Sequence, residues 1–400
     1  MRAKIENKND ISYKDTNEIE IDALLGILVF CPIFKSSRED MSSLFNTSVT
    51  GRPLFRAIMP EKRCSVLLRA LRFDDRNSRD EREKTDPSAC ILSIFDDFIN
   101  NCQTNYSPGA HMTVDETLVG FRGRVRFLVY NPRKPAKYGI KIICLTDAHD
   151  SYLYNAYIYT GKGSDGASLV GSDKKLLIPT QAVVRLTKNL FGTQQNITCD
   201  NWFSSIELAE TLLKNGLTMV GTLKKNKPQI PPEFQPSKGR AVPSSLYGFT
   251  QDLTLLSYVP KKNQAVVLLS SMHHSECFDE GGNKPEIIGF YNATKGGVDT
   301  LDMKFTNYCA NRKTRRWPLA VCYHLLAVAG SNGHTLHAMF KDSKKMKRYD
   351  FTKEVALGLV HNFLKIRSNI PNLNKDLKQF ILKTVEESSG LKNRTEQRRP

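Results

Sequence analysis

The sequence lacks any long hydrophobic run. Its longest apolar stretch, residues 23–34, is shorter than the roughly 20 residues that a membrane-spanning helix needs, and it contains Gly26 and Pro32. The residues that follow Met1 are polar and charged, without the apolar segment of a secretory signal. These absences predict a chain that is not inserted in a membrane and that works in a reducing compartment.

The sequence also lacks paired cysteines. Nine cysteines are scattered singly along the chain, without one CxxC pair. His273, His274 and Cys277 lie close together, but no second pair of ligands follows at the spacing of a zinc site. We therefore expect free thiols, no zinc and no disulfide framework.

What the sequence does contain is an excess of positive charge. Lys and Arg number 58 against 41 Asp and Glu, which gives a formal net charge of +17. Residues 301–400 hold 20 of these basic residues and 8 of the acidic ones, so most of the excess lies towards the C-terminus. Such a balance favours a polyanionic partner, with nucleic acid first and an acidic membrane surface second.

Hydrophobic periodicity predicts a helical N-terminal region followed by an α/β core. Helices are expected at 21–34, 55–72 and 91–101, with a solvated loop over 74–87. Short β-rich runs then occupy 112–119, 139–146 and 152–159. After them, the predicted elements are a helix at 169–190, a strand at 196–200, a helix opening at Ser204 with a capping-box Glu207, and a strand at 217–223. The order βββαβαβ is that of a ribonuclease H-like core.

The proline-rich residues 224–285 interrupt this order and contain two β-like runs, 253–259 and 265–270. Helices return at about 297–308, 318–340 and 352–367. We therefore predict an α/β fold with a ribonuclease H-like core, a β-rich insertion and a flanking helical domain. The predicted boundaries are a polar segment at 1–20, a helical domain at 21–110, the core at 111–223 and 286–345, the insertion at 224–285, and a basic helical segment at 346–400.

Three aspartates lie in or next to the predicted strands and helices of the core. Asp115 lies in the first strand, Asp200 at the end of the fourth, and Asp299 near the start of the helix after the insertion, with Asp302 one helical turn further on. Converging carboxylates suit two Mg²⁺ ions, which can assist an in-line phosphoryl displacement. As scattered aspartates they are a weak signal, and an ordinary strand-end or helix-start acid is the alternative at each position.

The sequence motifs around these aspartates are a more specific signal than the aspartates alone. They include DETLVGFRGRVRFLVYNPRKPAKYGIK at 115–141, YTGK at 159–162, ITCDNWFSS at 197–205, YNATKGGVDTLD at 291–302 and RKTRRWP at 312–318. Together, and in this order, they resemble the piggyBac family of cut-and-paste transposases. The resemblance covers most of the chain.

The resemblance implies a function and a site. Asp115, Asp200 and Asp299 match the family's catalytic triad, and Asp302 matches its additional acidic residue. Family members use Mg²⁺, for which Mn²⁺ can substitute, to nick double-stranded DNA at transposon ends and to join the freed strands to TTAA targets. It also implies a helical dimerisation and DNA-binding domain, a homodimer and a nuclear location.

Ten basic residues are candidates for DNA contact. Arg122, Arg124 and Arg126 alternate on a predicted strand and would face one side, where a charged, solvated edge strand is the alternative. The remaining candidates form two clusters: Lys224, Lys225 and Lys227, then Arg312, Lys313, Arg315 and Arg316. The second cluster, and a basic run at 344–348, can also serve in nuclear import.

The sequence departs from the family at both ends. The resemblance implies an acidic N-terminal tail and a C-terminal cysteine-rich zinc domain, and neither is recognisable here. We therefore keep two hypotheses: a piggyBac-like transposase or a protein derived from one, and a domesticated DNA-binding protein that no longer transposes. A generic metal-dependent nuclease is a third, and it would cut without regard to TTAA.

Overall fold

The computed structural model describes residues 13–396, apart from residue 38, residues 236–238, residues 263, 280 and 283, and residues 341–344, with side chains to residue 389. The chain divides into two compact units. The helical unit comprises the chain up to Arg79, Phe305–Thr314, and the chain from Pro318 onward, and the sheet unit comprises Asp80–Lys304 and Arg315–Trp317. In the part of the chain so described, no helix is long and apolar enough to cross a membrane.

The helices, in chain order, are α1 (Glu18–Ile33), α2 (Met41–Leu44), α3 (Pro53–Ile58), α4 (Glu61–Ala70), α5 (Arg79–Thr85), α6 (Ala89–Thr104), α7 (Ile178–Thr187), α8 (Ile206–Lys214), α9 (Glu286–Thr294), α10 (Gly297–Asn307), α11 (Trp317–Met339), α12 (Arg348–Ser368) and α13 (Lys375–Glu396). The strands are β1 (His111–Gly120), β2 (Leu128–Tyr130), β3 (Tyr138–Asp147), β4 (Leu153–Ile158), β5 (Asn196–Cys199), β6 (Thr218–Thr222), β7 (Ser244–Phe249), β8 (Thr254–Lys261) and β9 (Gln264–Ser270).

The helical unit is built around the packing of α1 on α12. The side chain of Asn17 caps α1 by accepting the Glu20 N–H at 3.0 Å. At Gly26 a Cβ would lie 2.4 Å from Val360 Cγ1, so glycine lets the two helices come close. Residues of α1, α3, α4, α12 and α13 form one buried apolar cluster. The core of this unit therefore joins segments from both halves of the sequence.

The sheet unit is built on one nine-stranded sheet. Its strand order is β2-β3-β1-β5-β6-β9-β8-β7, with β4 also paired to β3. The pairs β1–β5 and β5–β6 are parallel, and the β3 pairs are antiparallel. Helix α6 packs on β4, α8 on β6, and α9 on β1, β6 and β9. The order β4-β3-β1-β5-β6 is the predicted antiparallel meander followed by parallel crossover units.

The strands of the predicted insertion belong to the same sheet as the core strands. Strand β9 pairs antiparallel with β6, and β8 and β7 follow at the edge. The insertion therefore covers the edge of β6, which would otherwise present unpaired backbone groups. Strand β7 was not among the predicted strands.

The unit boundaries also differ from the predicted ones. Residues 80–110, with α5 and α6, cluster with the sheet, whereas the chain from Phe305 clusters with the helical unit except for Arg315–Trp317.

Several local predictions need correction. The charged segment 74–87 is not a loop, because it contains α5. The predicted helix at 55–72 is two helices, because Pro60 lies between α3 and α4 and cannot continue a helix. The cap of α8 is Ser205 rather than Ser204, and the Glu207 carboxylate accepts the Leu177 N–H instead of closing a capping box. The sequence reading also missed β2 and α13.

Candidate functional site

Asp115 and Asp200 lie at the same level of two neighbouring parallel strands. Val114 of β1 is in register with Cys199 of β5, so the next residue on each strand is an aspartate. Asp115 faces Cys144 across the β1–β3 ladder. The fold therefore brings together two acids that are far apart in the sequence.

Asp200 ends β5 in a turn held by its own side chain. Its Oδ1 accepts the Trp202 N–H at 2.8 Å and the Phe203 N–H at 3.4 Å. Asp115 accepts the Glu116 N–H at 2.7 Å in a similar local contact. Both carboxylates are thus oriented by backbone N–H donors.

The N-terminus of α10 is brought against the sheet by a glycine. A Cβ at Gly297 would lie 2.5 Å from Thr146 Oγ1 and 2.7 Å from Thr113 Oγ1. Just before α10, the carbonyl of Thr294 accepts the Thr113 hydroxyl at 2.6 Å, and the Thr294 hydroxyl accepts that of Thr198 at 2.8 Å. These contacts tie the start of α10 to β1 and β5, where the two strand aspartates lie.

Helix α10 carries the other two predicted acids, and they differ in environment. Asp302 is half-buried and accepts the Thr117 hydroxyl at 2.7 Å. The Asp299 side chain is 71% exposed, with its Oδ1 3.9 Å from the Nζ of Lys134. The same ammonium donates to the Glu116 carbonyl at 3.1 Å. Lys134 therefore lies between the strand bearing Asp115 and the helix bearing Asp299.

Burial, with repulsion from neighbouring acids, raises the pKa values of Asp115 and Asp302. Burial raises the pKa of Asp115 to about 8, with added repulsion from Glu116 and Asp200, while the Glu116 N–H and Lys134 oppose the rise. Burial likewise raises the pKa of Asp302 to about 6, against the bond from Thr117 and the charge of Lys134. A cluster of mutually repelling, half-buried carboxylates is typical of a functional site.

The donor set suits a hard divalent cation by its chemistry. Asp115 and Asp200 supply carboxylate oxygens at one strand end, and their mutual repulsion is the kind of unbalanced charge that a cation relieves. Within the described residues, however, no three His, Cys, Asp or Glu side chains are grouped closely enough to hold a metal ion. Asp115 and Asp200 thus fit as a pair, whereas Asp299 is turned towards Lys134.

The arginine row is not on a strand. Residues 121–127 form the loop between β1 and β2, anchored at its ends by buried Phe121 and Phe127. The prediction of a strand was wrong here, because β1 ends at Gly120 and the loop must turn before β2. All three predicted side chains, Arg122, Arg124 and Arg126, are nevertheless exposed.

The lysines after β6 divide into two kinds. Lys224 and Lys225 are exposed. Lys227 is half-buried and donates to the Ser204 carbonyl at 2.7 Å, and burial lowers its pKa. Its ammonium therefore fastens the loop to the start of α8.

The second basic cluster also divides. Arg312 is 9% exposed, and its guanidinium donates to the Ser36 carbonyl at 2.6 Å, to the Glu39 carbonyl at 2.8 Å and to the Ser36 hydroxyl at 2.9 Å. These hydrogen bonds hold the Arg312 guanidinium inside the helical unit. The prediction that Arg312 contacts DNA is therefore corrected, because its side chain is buried.

The other members of that cluster remain accessible to different degrees. Lys313 and Arg315 are exposed, and Arg316 is half-buried. Of the basic run at 344–348, Lys344 lies outside the described residues.

Sequence reasoning missed two residues beside the acids. One is Lys134, in the sequence motif NPRKP. The other is Tyr291 of α9, whose pKa is raised by burial and by the charges of Asp200 and Asp115, and whose hydroxyl lies 3.4 Å from Thr222 Oγ1. Both residues lie in sequence motifs that resemble the piggyBac family, at 115–141 and 291–302. That resemblance was the signal that could have pointed to them.

A third neighbour is Lys141 on β3. Its Nζ lies 4.3 Å from the ring centroid of Tyr159 and 5.1 Å from that of Trp202, two residues after Asp200. A cation thus lies near two aromatic rings, one of which belongs to the turn that follows Asp200.

Comparison with known proteins identifies the class. The family model described as "Transposase IS4" matches residues 2–334, which is most of the chain. The fold, the strand-end acids and this match together place the chain among the transposases.

The particular family follows from a solved structure. The cryo-EM structure of a piggyBac transposase synaptic complex with hairpin DNA is similar, with 37% sequence identity, a TM-score of 0.89, and coverage of 95% of this chain and 79% of that one. The chain belongs to the piggyBac-type transposase family, and the predicted α/β fold with a ribonuclease H-like core is confirmed.

A curated human relative is more distant. PiggyBac transposable element-derived protein 2 of Homo sapiens is 19% identical over 355 residues, which cover 84% of this chain. The chain spans 58% of the length of that relative.

Proposed function

We propose that this protein is a cut-and-paste DNA transposase, or a protein derived from one, that cleaves and joins strands at TTAA sites through Asp115, Asp200 and Asp299. The observation that carries the proposal is the matched position of Asp115 and Asp200 on β1 and β5 in a member of this family. The similarity to a piggyBac transposase in complex with hairpin DNA supports double-stranded DNA as the substrate, with transposon ends and a TTAA target.

Each acid has a separate role in the proposal. Asp115 and Asp200 would hold Mg²⁺, with Asp299 as the third carboxylate, and two ions are expected. Bound there, Mg²⁺ or Mn²⁺ supplies activation of the attacking oxygen and stabilisation of the leaving one. The hydroxyl of Thr117 holds Asp302 in place beside these acids.

DNA would be bound by the exposed basic residues. The candidates that the fold leaves accessible are Arg122, Arg124, Arg126, Lys224, Lys225, Lys313 and Arg315. Their contacts with phosphates would position the duplex without reading its sequence. We propose further that the protein acts as a homodimer in the nucleus.

One observation favours the alternative, a domesticated DNA-binding protein that no longer transposes. The carboxylate of Asp299 faces Lys134 and is not grouped with Asp115 and Asp200. A protein of this second kind would bind DNA with a salt-dependent affinity but would not cut it.

The experiment is excision of a TTAA-flanked element that carries the repeats bordering the gene, with Mg²⁺ and with EDTA. For a transposase, we expect metal-dependent excision that falls by about two orders of magnitude or more in Asp200→Asn, since metal-assisted charge stabilisation is worth several kcal/mol. Asp252→Asn, at an exposed position of the same unit, is the control and should excise normally.

Two outcomes would contradict parts of the proposal. Equal excision by Asp200→Asn and wild type would refute the site assignment. DNA binding without cleavage in wild type would replace the transposase by the domesticated binding protein.

A further inference from the structure

A cavity of about 260 Å³ lies within the helical unit, and none of the four aspartates lines it. Helices α1, α11 and α12 and the segment 308–310 form its walls. Small residues of α11 leave the space open, among them Ala327, Gly330 and Gly333. An apolar cavity of roughly 150 Å³ is enough to bind benzene, so this one can hold an aromatic ring with a short chain.

One wall of the cavity carries a cation that pairs with no carboxylate of the described residues. Arg348 is the first residue of α12, and its guanidinium carbon lies 5.2 Å from the ring centroid of Tyr308. Among the residues that the structure describes, its buried Nε has no hydrogen-bond partner and no carboxylate pairs with this side chain. Burial lowers the pKa of Arg348 to about 10, opposed by Tyr308.

The start of α12 adds to the attraction for an anion. The N-cap residue, Lys347, makes no side-chain bond to the first turn of this 21-residue helix. Uncapped N–H groups and the helix dipole favour negative charge at that end, although the exposed Asp350 in the first turn supplies part of it. An apolar cavity, a guanidinium with no carboxylate partner among the described residues, and a helix start with no side-chain cap from Lys347 thus come together at Arg348.

We propose that this cavity binds a small apolar carboxylic acid, with its ring or chain between α11 and α12 and its carboxylate on the guanidinium of Arg348. The planar fork of arginine matches a carboxylate with two parallel hydrogen bonds. The site is independent of the DNA chemistry proposed above.

The first test measures binding of 4-phenylbutyrate and of the neutral 4-phenylbutan-1-ol to the full chain by calorimetry. We expect wild type to bind the acid at least about tenfold more tightly than the alcohol, since only the acid can form charge-assisted hydrogen bonds with the guanidinium. Arg348→Gln should lose that difference and keep its affinity for the alcohol.

The matched control is Arg367→Gln. Arg367 is a second half-buried arginine of α12, lies outside the cavity lining, and donates to the Arg56 carbonyl at 3.2 Å. Binding of the acid should be unchanged in this variant.

A second pair of variants tests the cavity itself. A Cβ at Gly330 would lie 3.4 Å from Arg348 Nη2, so Gly330→Leu places a side chain in the space and should abolish binding of both acid and alcohol. Gly358→Leu, at an exposed position of α12 with no atom within 4 Å of an added Cβ, should bind both normally. If Gly330→Leu does not fold, the two arginine variants still decide.

Three results would overturn the proposal. They are no binding of 4-phenylbutyrate at millimolar concentration, equal binding of the acid by wild type and Arg348→Gln, and tighter binding of inorganic phosphate than of the acid. The last would identify Arg348 as a phosphate contact.

Discussion

At the scale of single residues, the acids of the site carry more charge than their surroundings neutralise. Asp115 meets repulsion from Glu116 and Asp200, and Lys134 is the nearby cation that opposes it. The sequence motifs led to the prediction of the four aspartates as site residues. They could not identify Lys134 as the partner of Asp299, because a lysine in a loop and an acid on a distant helix show no local pattern. They also misassigned Arg312, since burial of an arginine depends on tertiary packing.

Replacing Asp115 by Asn tests this charge balance through stability. The folded pKa of Asp115, about 8, lies above its ordinary value of 3.8, so its contribution to stability is full below about pH 4 and is lost as pH rises through 8. Asn carries no charge. We therefore expect Asp115→Asn to match wild type near pH 4 and to be more stable by about 2 kcal/mol at pH 9, after allowance for solvent screening.

The measurement is urea denaturation from pH 4 to 9 in EDTA, which keeps cations from binding the acids. Asp252→Asn, which removes an exposed charge from the same unit, should show no such rise relative to wild type. A variant that is less stable than wild type at pH 9 would show that Asp115 is stabilised as an anion, contrary to its surroundings.

At the scale of elements, strands with β-rich runs were predicted closely, because half-buried strands carry a clear pattern. The predictions failed where the pattern was weak or ambiguous. The seven-residue helix α5 is charged on all sides, so its sequence looks like a loop. Strand β2 has only three residues, and its position depends on pairing with β3. Periodicity alone could not show these elements.

The docking of α10 depends on Gly297, and Gly297→Ala tests it. The added Cβ would lie within 3 Å of two threonine hydroxyls of β1 and β3, so the helix start must shift. We expect a loss of about 2 kcal/mol in the free energy of unfolding, the usual cost of overpacking a tight contact. Thermal or urea denaturation measures it.

The neighbouring Gly296→Ala is the control. Its Cβ would lie 3.8 Å from Thr300 Oγ1, which is an ordinary contact, so its stability should be near that of wild type. Equal stability of both variants would mean that the sheet accommodates the extra methyl group, and Gly297 would not position Asp299 and Asp302.

At the scale of the whole molecule, the two units were only partly visible in the sequence. The change from helical to β period near residue 111 marked a real change in structure. It did not mark the unit boundary, because α5 and α6 cluster with the sheet unit that follows them. The helical unit combines early and late segments of the chain, and no local pattern reports such an association.

The net charge of +17 leads to a prediction about the proposed binding of DNA. Each phosphate that a basic side chain neutralises releases counterions and adds about 0.9 to the slope of log K against log salt. If Lys224 and Lys225 contact the backbone, Lys224→Gln with Lys225→Gln should weaken binding to a TTAA-containing duplex and make that slope shallower by about 2. The control double variant, Lys261→Gln with Lys262→Gln, removes two exposed lysines of the same unit and the same net charge. It should keep the wild-type slope, whereas equal loss in both variants would mean that net charge, and not contact at residues 224 and 225, sets the affinity.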